Sequence, residues 1–299
     1  MVTALNHYLE MVRENLKLDR STEREVIHEL ATHIEDELQE LKDAGLSDEE
    51  AARACLTLMG SAKTVARQIY ESHSQGSWTQ ALFAAMPHLL FGLLFALSWW
   101  QGIIGLLAVL VAVLGVVVYG WWRGKPSWLF SWLGYYLVPV VFAGLLLLYL
   151  PQGWDWIAIL IYIPMSLWLV CSFTLKTIKR DWVYSSLMLL PLPIIIGWFL
   201  AVEPVDRVPA YWLQRLQEFA PWIGLTFLSL GVAVTTFIRL RKRWLRISVL
   251  VISGLITLTM IAYYTQGRIS GPAFLALIVV MLILLLSPAL VERTLKHTG

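Results

Sequence analysis

The chain has 299 residues, 58% of them hydrophobic and only 15% charged. An ordinary soluble domain has roughly 45–50% and 25%, so a wholly soluble globular protein is excluded. A net charge of +2 argues against a strongly basic nucleic-acid binder, and two cysteines are too few for a disulfide framework. The near-neutral total hides an asymmetry: residues 1–77 carry 8 Lys/Arg against 15 Asp/Glu, and residues 78–299 carry 15 against 6.

Residues 1–77 read as a small helical head. Leu5, Tyr8, Leu9 and Val12 recur at helical spacing, with no continuous apolar run of the kind a signal peptide needs. The first membrane span is therefore expected to act as the insertion signal. Thr22 with Glu25 forms a capping box opening a helix to about Ala44, whose inner side holds Val26, Ile27, Leu30, Ile34, Leu38 and Leu41. Gly45 supplies a left-handed stop, and Ser47 with Glu50 makes a second capping box for a helix through Ala51, Ala54, Cys55 and Leu58. Gly60 ends that helix, and Ser61 starts a fourth with Val65, Ile69 and Tyr70 inward.

The runs Glu25-Val26-Ile27-His28-Glu29-Leu30, His33-Ile34-Glu35-Asp36, Ala44-Gly45-Leu46-Ser47-Asp48-Glu49-Glu50-Ala51 and Leu58-Met59-Gly60-Ser61 resemble the HAAS or "permease prefix" head of bacterial membrane proteins. The likeness covers about residues 20–70. It implies a cytosolic regulatory or adaptor module, placed before permeases or before multi-span proteins paired with a PadR-type transcriptional repressor. The permeases carrying such heads have few spans and a large external domain, whereas the longest external loop expected here is about residues 203–218.

His28, Glu29 and His33 do not make the HExxH zinc motif, because the histidines are five apart and about 140° apart around a helix. Glu25, Glu29, His33 and Asp36 share one face, which reads as a solvated surface for a protein partner; no metal is expected.

Eight apolar stretches follow, at residues 81–99, 102–121, 130–150, 156–175, 183–202, 219–238, 245–264 and 272–291. A bilayer core about 30 Å thick takes about 20 helical residues to cross, so the expected fold is all-α: an eight-span helical bundle behind a cytosolic helical domain. The loops alternate in charge. One set holds 12 basic residues: Arg123 and Lys125; Lys176, Lys179 and Arg180; Arg239, Arg241, Lys242, Arg243 and Arg246; Arg293 and Lys296. The other set holds Arg207, Arg215 and Arg268. Basic loops stay cytoplasmic, so both termini are expected in the cytoplasm, and a bacterial inner membrane is what the resemblance of the head implies. Most of the 15 tryptophans, among them Trp78, Trp99, Trp122, Trp182 and Trp244, fall at span ends, where indoles favour the headgroup level.

Within the spans, His88 beside Pro87 is the one ionisable candidate well inside an apolar run, and such groups are functional suspects because they are costly to bury. Prolines at 139, 164, 191 and 193 interrupt other spans, and broken helices can mark mid-membrane binding sites. An intramembrane site would draw on His88, Tyr135, Tyr136, Tyr162, Ser185, Ser186, Pro191 and Pro193. Leu213, Leu216 and Phe219, interleaved with Gln214, Arg215, Gln217 and Glu218, read as a short interfacial helix on the outer surface. The cluster Arg239, Arg241, Lys242, Arg243 and Arg246 reads as a patch for anionic lipid or for the acidic head.

There is no Walker loop, dinucleotide fingerprint or Ser/His/Asp set, so neither enzyme activity nor a cofactor is expected. The head's balance of −7 disfavours direct nucleic-acid binding. The leading expectation is a membrane regulator or sensor that relays lipid or membrane state, or a hydrophobic compound, to a cytosolic protein. The alternative is a transport component whose head docks an ATPase or partner subunit.

Overall fold

The computed structural model describes residues 2–16, 18, 20–73, 75–135, 156, 160, 163–178, 181–202 and 209–297. Among them there is no strand. The chain divides into two compact units, Met1–Gln75 and Gly76–Gly299.

The first unit contains α1 (Val2–Asn15), α2 (Arg20–Asp43), α3 (Asp48–Met59) and α4 (Ala62–His73). Its core is built from Tyr8, Val12 and Leu16 of the first segment, Val26, Ile27, Ile34 and Leu38 of α2, and Ala51, Cys55, Ala62 and Ala66. Local rules explain most boundaries. Ser47 and Glu50 form both bonds of a capping box, and Gly45 and Gly60 take φ of +94° and +76°, a region costly for residues with a Cβ. The expected box at Thr22 is not used as a start. The helix begins two residues earlier, at Arg20, which puts Glu23 in the first turn, where its charge suits the helix dipole and pairs with Arg13 at 3.5 Å.

The second unit comprises α5 (Trp78–Ala96), α6 (Ile103–Trp122), a helical segment at 129–135, α7 (Ile163–Ile178), α8 (Trp182–Leu189), α9 (Pro191–Val202), α10 (Pro209–Arg239), α11 (Arg243–Tyr264) and α12 (Gly271–His297). Six helices among the described residues are long and apolar enough to cross a membrane: Trp78–Ala96, Ile104–Trp122, Trp182–Val202, Gln214–Arg239, Arg243–Tyr264 and Gly271–Thr294. Leu167–Ile178 is apolar but shorter. The third expected span, 130–150, lies outside the described residues from 136 onward. The expected interfacial helix at 213–219 is not a separate element. It belongs to the first turns of the 31-residue α10, where Leu216 and Phe219 are buried and Pro221 is accommodated inside the helix. At 1.5 Å per residue α10 is about 46 Å long, longer than a hydrocarbon core is thick.

α5 and α10 run antiparallel at close range. A Cβ added to Gly224 would lie 3.1 Å from the Gly92 carbonyl, so the two backbones touch there. Small residues allow this approach, which replaces the hydrophobic drive that lipid-exposed helices lack. The continuous stretch formed by α8 and α9 is the most enclosed span, while α6 and α12 are the least. On α6, Ile104, Val111, Val118 and Trp122 all face outward, as the lipid-facing side of a membrane helix does.

Cross-contacts fix the helix directions within this unit. Residues 83, 84 and 88 of α5 meet 132, 131 and 135, so those helices are parallel. Phe130 meets Tyr184, and Gly134 abuts the Met188 carbonyl, which makes α8 parallel to both. Tyr184 meets Arg246 and Gly197 meets Ile261, so α11 runs the same way. α10 and α12 run oppositely, through contacts such as Gly92 with Gly224 and Ser186 with Leu285.

Candidate functional site

Pro87 organises a polar seam inside the bundle. Having no N–H, it leaves the Phe83 carbonyl without its usual partner four residues on. The Trp132 indole N–H donates to that carbonyl at 2.9 Å, and the Ser131 hydroxyl donates to the Ala84 carbonyl at 2.7 Å. One turn further, His88 Nδ1 and the Tyr135 hydroxyl are 2.5 Å apart. All four side chains are at most 3% exposed. The Tyr135 ring stacks on Phe91 with centroids 4.4 Å apart and lies beside Phe227. His88 Nε2 is buried without a hydrogen-bond partner among the described residues. If Tyr135 donates to Nδ1, the proton of the neutral ring sits on Nε2, and the orphan atom is a donor.

The expected intramembrane residues are only partly brought together. His88 and Tyr135 touch, and Pro191 lies beside Gly134, where an added Cβ would meet both the Met188 carbonyl and the Pro191 ring. Ser186 is turned away, donating to the Leu285 carbonyl of α12 at 2.6 Å. The Ser185 hydroxyl is buried with no partner among the described residues, and Pro193 is buried in α9. Tyr136 and Tyr162 lie outside the described residues. The set is therefore a hydrogen-bonded seam plus separate packing positions.

A second polar cluster lies where α5, α8 and α11 begin and α10 ends. Asp181 caps α8 by accepting from the Val183 N–H, and it also pairs with Arg243. Asp181 is 1% exposed, so its charge is held by that guanidinium and the helix end. Arg246 is fully buried. It donates from Nε to the Leu240 carbonyl at 2.9 Å and from Nη1 to the Tyr184 hydroxyl at 3.3 Å, and it lies over the Tyr184 and Phe237 rings. Arg239 donates to the Gly76 carbonyl at 2.9 Å and lies 4.5 Å from the Trp78 ring, while the Gly76 N–H donates to the Ile238 carbonyl. The five basic residues thus do not form one exposed patch. Arg243 and Arg246 serve the fold, Arg239 holds the entry of α5, and Arg241 and Lys242 are exposed. Sequence reasoning passed over Asp181, although an Asp directly before an apolar run is a recognisable helix cap.

In the first unit Glu25, Glu29, His33 and Asp36 are all exposed, as is His28, while the opposite side of α2 packs into the core. Among the described residues no three His, Cys, Asp or Glu side chains come together as a metal site. Glu50 is held below the usual carboxylate range, first by its side-chain hydrogen bond with Ser47 and then by the Ser47 backbone N–H. Burial pushes the Cys55 thiol up, with Glu37 adding to the effect.

No protein-family model, no curated protein and no solved structure matches this chain.

Proposed function

We propose that this is a multi-pass regulatory or sensor protein of the bacterial cytoplasmic membrane, whose cytosolic head binds a protein partner. The observation that carries the reading is the outward face of α2. Glu25, Glu29, His33 and Asp36 are exposed on a unit whose core is built from other residues. The likeness of residues 20–70 to the HAAS or permease-prefix head supports the same role and points to a PadR-type regulator as partner. Six apolar helices support the membrane placement.

Eight crossings with both termini cytoplasmic fit the helix directions. The segment at 129–135 starts at the end where α5, α8 and α11 start, and α7 returns to that end, since the Asp181 N–H bonds to the Thr177 carbonyl. In intact cells, cysteines at Gln101 and Gln266 should label with an impermeant thiol reagent, and one at Gly124 should not. Labelling at Gly124 would refute the orientation.

The partner reading is tested by placing a photo-crosslinking residue at Glu25, Glu29 or Asp36 of the full-length protein in cells. A discrete adduct to one cytosolic protein is expected from these positions and not from Lys63 or Arg67 of α4. Absence of any adduct from all three positions would refute it. An adduct to an ATPase would favour the transport alternative, in which the same face docks an energy-supplying subunit.

A further inference from the structure

α1 closes the core of the head with a residue that does not suit the closed state. Tyr8, Val12 and Leu16 carry its side of that core, at 5%, 0% and 5% exposure. The Tyr8 hydroxyl is buried with no hydrogen-bond partner among the described residues. Burial pushes its pKa up, and the nearby Cys55 thiol adds to the effect, as expected of a hydroxyl cut off from water. A buried hydroxyl left unmet destabilises the state that buries it, and phenylalanine would fill the same place without that penalty. The rest of the head is joined differently. α3 starts at the Ser47–Glu50 capping box, Lys42 pairs with Asp48 at 2.8 Å, and Ile34, Leu38, Ala51 and Cys55 bury apolar surface between α2 and α3. α1 is tied to α2 by Arg13 with Glu23 at 3.5 Å, a part-exposed pair of the kind that contributes little.

We propose that α1 is a releasable strap, which leaves the core of the head as a unit while α2, α3 and α4 stay folded. Val12 and Leu16 hold the closed state, because leaving would return their apolar surface to water. The Tyr8 hydroxyl works against them, since it has no partner when the strap is closed and is hydrated when the strap is open. The tyrosine thereby narrows the gap between two states that an all-apolar α1 would set further apart. Proteins open locally at the elements with least holding them, and such elements are the ones drawn on for switching. Release uncovers the sides of α4 and α2 on which α1 packs, a second surface besides the exposed face of α2. As a way for the head to change what it offers a partner, this rests on the regulatory reading above; as an opening it is tested without it.

The experiment is amide hydrogen exchange of the full-length protein in detergent micelles, read by mass spectrometry in the middle of α1 and in the middle of α2. In the unmodified protein α1 should exchange through an opening that leaves α2 protected. Tyr8→Phe should slow exchange in α1 by about 5- to 150-fold, the range that one unmet buried hydroxyl represents. Ser47→Ala removes the capping box of α3, which the open strap leaves intact, so it should speed exchange in α3 and leave α1 unchanged. The proposal is overturned if α1 is as protected as α2, or if Tyr8→Phe leaves exchange in α1 unchanged or faster. It is equally overturned if Ser47→Ala speeds α1 as much as α3, because the head would then open only as one piece. None of these results touches the crosslinking from α2, whose failure would remove the regulatory reading while leaving the strap standing.

Discussion

Replacing Trp132 by Phe removes the N–H that satisfies the Phe83 carbonyl, and the cost should depend on Pro87. In the native sequence no main-chain donor reaches that carbonyl from position 87, so Trp132→Phe leaves a buried acceptor unmet. Orphaned buried acceptors cost about 1–3 kcal/mol in soluble proteins, and interhelical hydrogen bonds in membranes average about 0.6 with a maximum of about 1.7 kcal/mol. The change also shrinks a ring that is only 3% exposed, so a packing loss adds to the polar one. A double-mutant cycle separates the two. With Pro87→Ala the residue at 87 has an N–H for the Phe83 carbonyl, and Trp132→Phe should then cost about 1 kcal/mol less, with the packing loss common to both backgrounds. The assay is reversible unfolding in mixed micelles by added dodecyl sulfate, followed by far-ultraviolet circular dichroism. Additivity within about 0.3–0.5 kcal/mol would show that Trp132 does not replace the proline's missing donor.

Gly134→Ala should destabilise the bundle by about 1–3 kcal/mol in the same assay, because the new methyl meets the Met188 carbonyl and the Pro191 ring and a backbone oxygen cannot swing aside. Acidification should weaken the head. Glu50 has a folded pKa below its unfolded value, so its contribution is present above the unfolded value and lost as pH falls through the folded one. In Ser47→Ala the head's melting temperature should be lower at neutral pH and less sensitive to acid, and an unchanged acid sensitivity would count against the assignment. Cys55 is fully buried with a raised pKa, so in a Cys171→Ala background it should resist maleimide at pH 7 until the head unfolds. Rapid labelling of the native protein would contradict that burial.

What was legible in the sequence was local. The box at Ser47 and Glu50 and the stops at Gly45 and Gly60 depend on neighbours within four residues, and the structure forms them where such rules put them. The start of α2 was misplaced because Thr22 is a good cap in isolation, yet the helix takes up Arg20 before it. Apolar runs located the long helices, but α10 extends about ten residues before its expected span, where interleaved polar residues disguise a continuous helix. Pairings across the bundle were not legible. Ser131 with Ala84, Trp132 with Phe83 and Tyr135 with His88 are 47 to 49 positions apart, and only the meeting of two helices creates them. The sequence signals for the seam were His88, an ionisable group inside an apolar run, and Pro87, because a proline inside an apolar helix implies a carbonyl that needs another donor.

The same distinction governs the arginines. Counting Lys and Arg by loop addresses orientation, because loops are sorted by charge during insertion, before tertiary contacts exist. It does not report which charges remain available afterwards. Arg246 sits in the first turn of α11 and was counted with Arg241 and Lys242, but that turn carries it inward against Tyr184 and Phe237. Guanidinium tolerates this better than ammonium, since it is weakly hydrated, stacks on rings and spreads several donors over carbonyl and hydroxyl oxygens. Asp181 completes the arrangement from the other side, and its carboxylate is acceptable in a buried position because α8 begins there and Arg243 reaches it. One loop thus contributes to three levels of the molecule. Its total charge bears on the side of the membrane, its buried arginines join α8, α10 and α11, and its exposed residues Arg241 and Lys242 lie at the turn between α10 and α11.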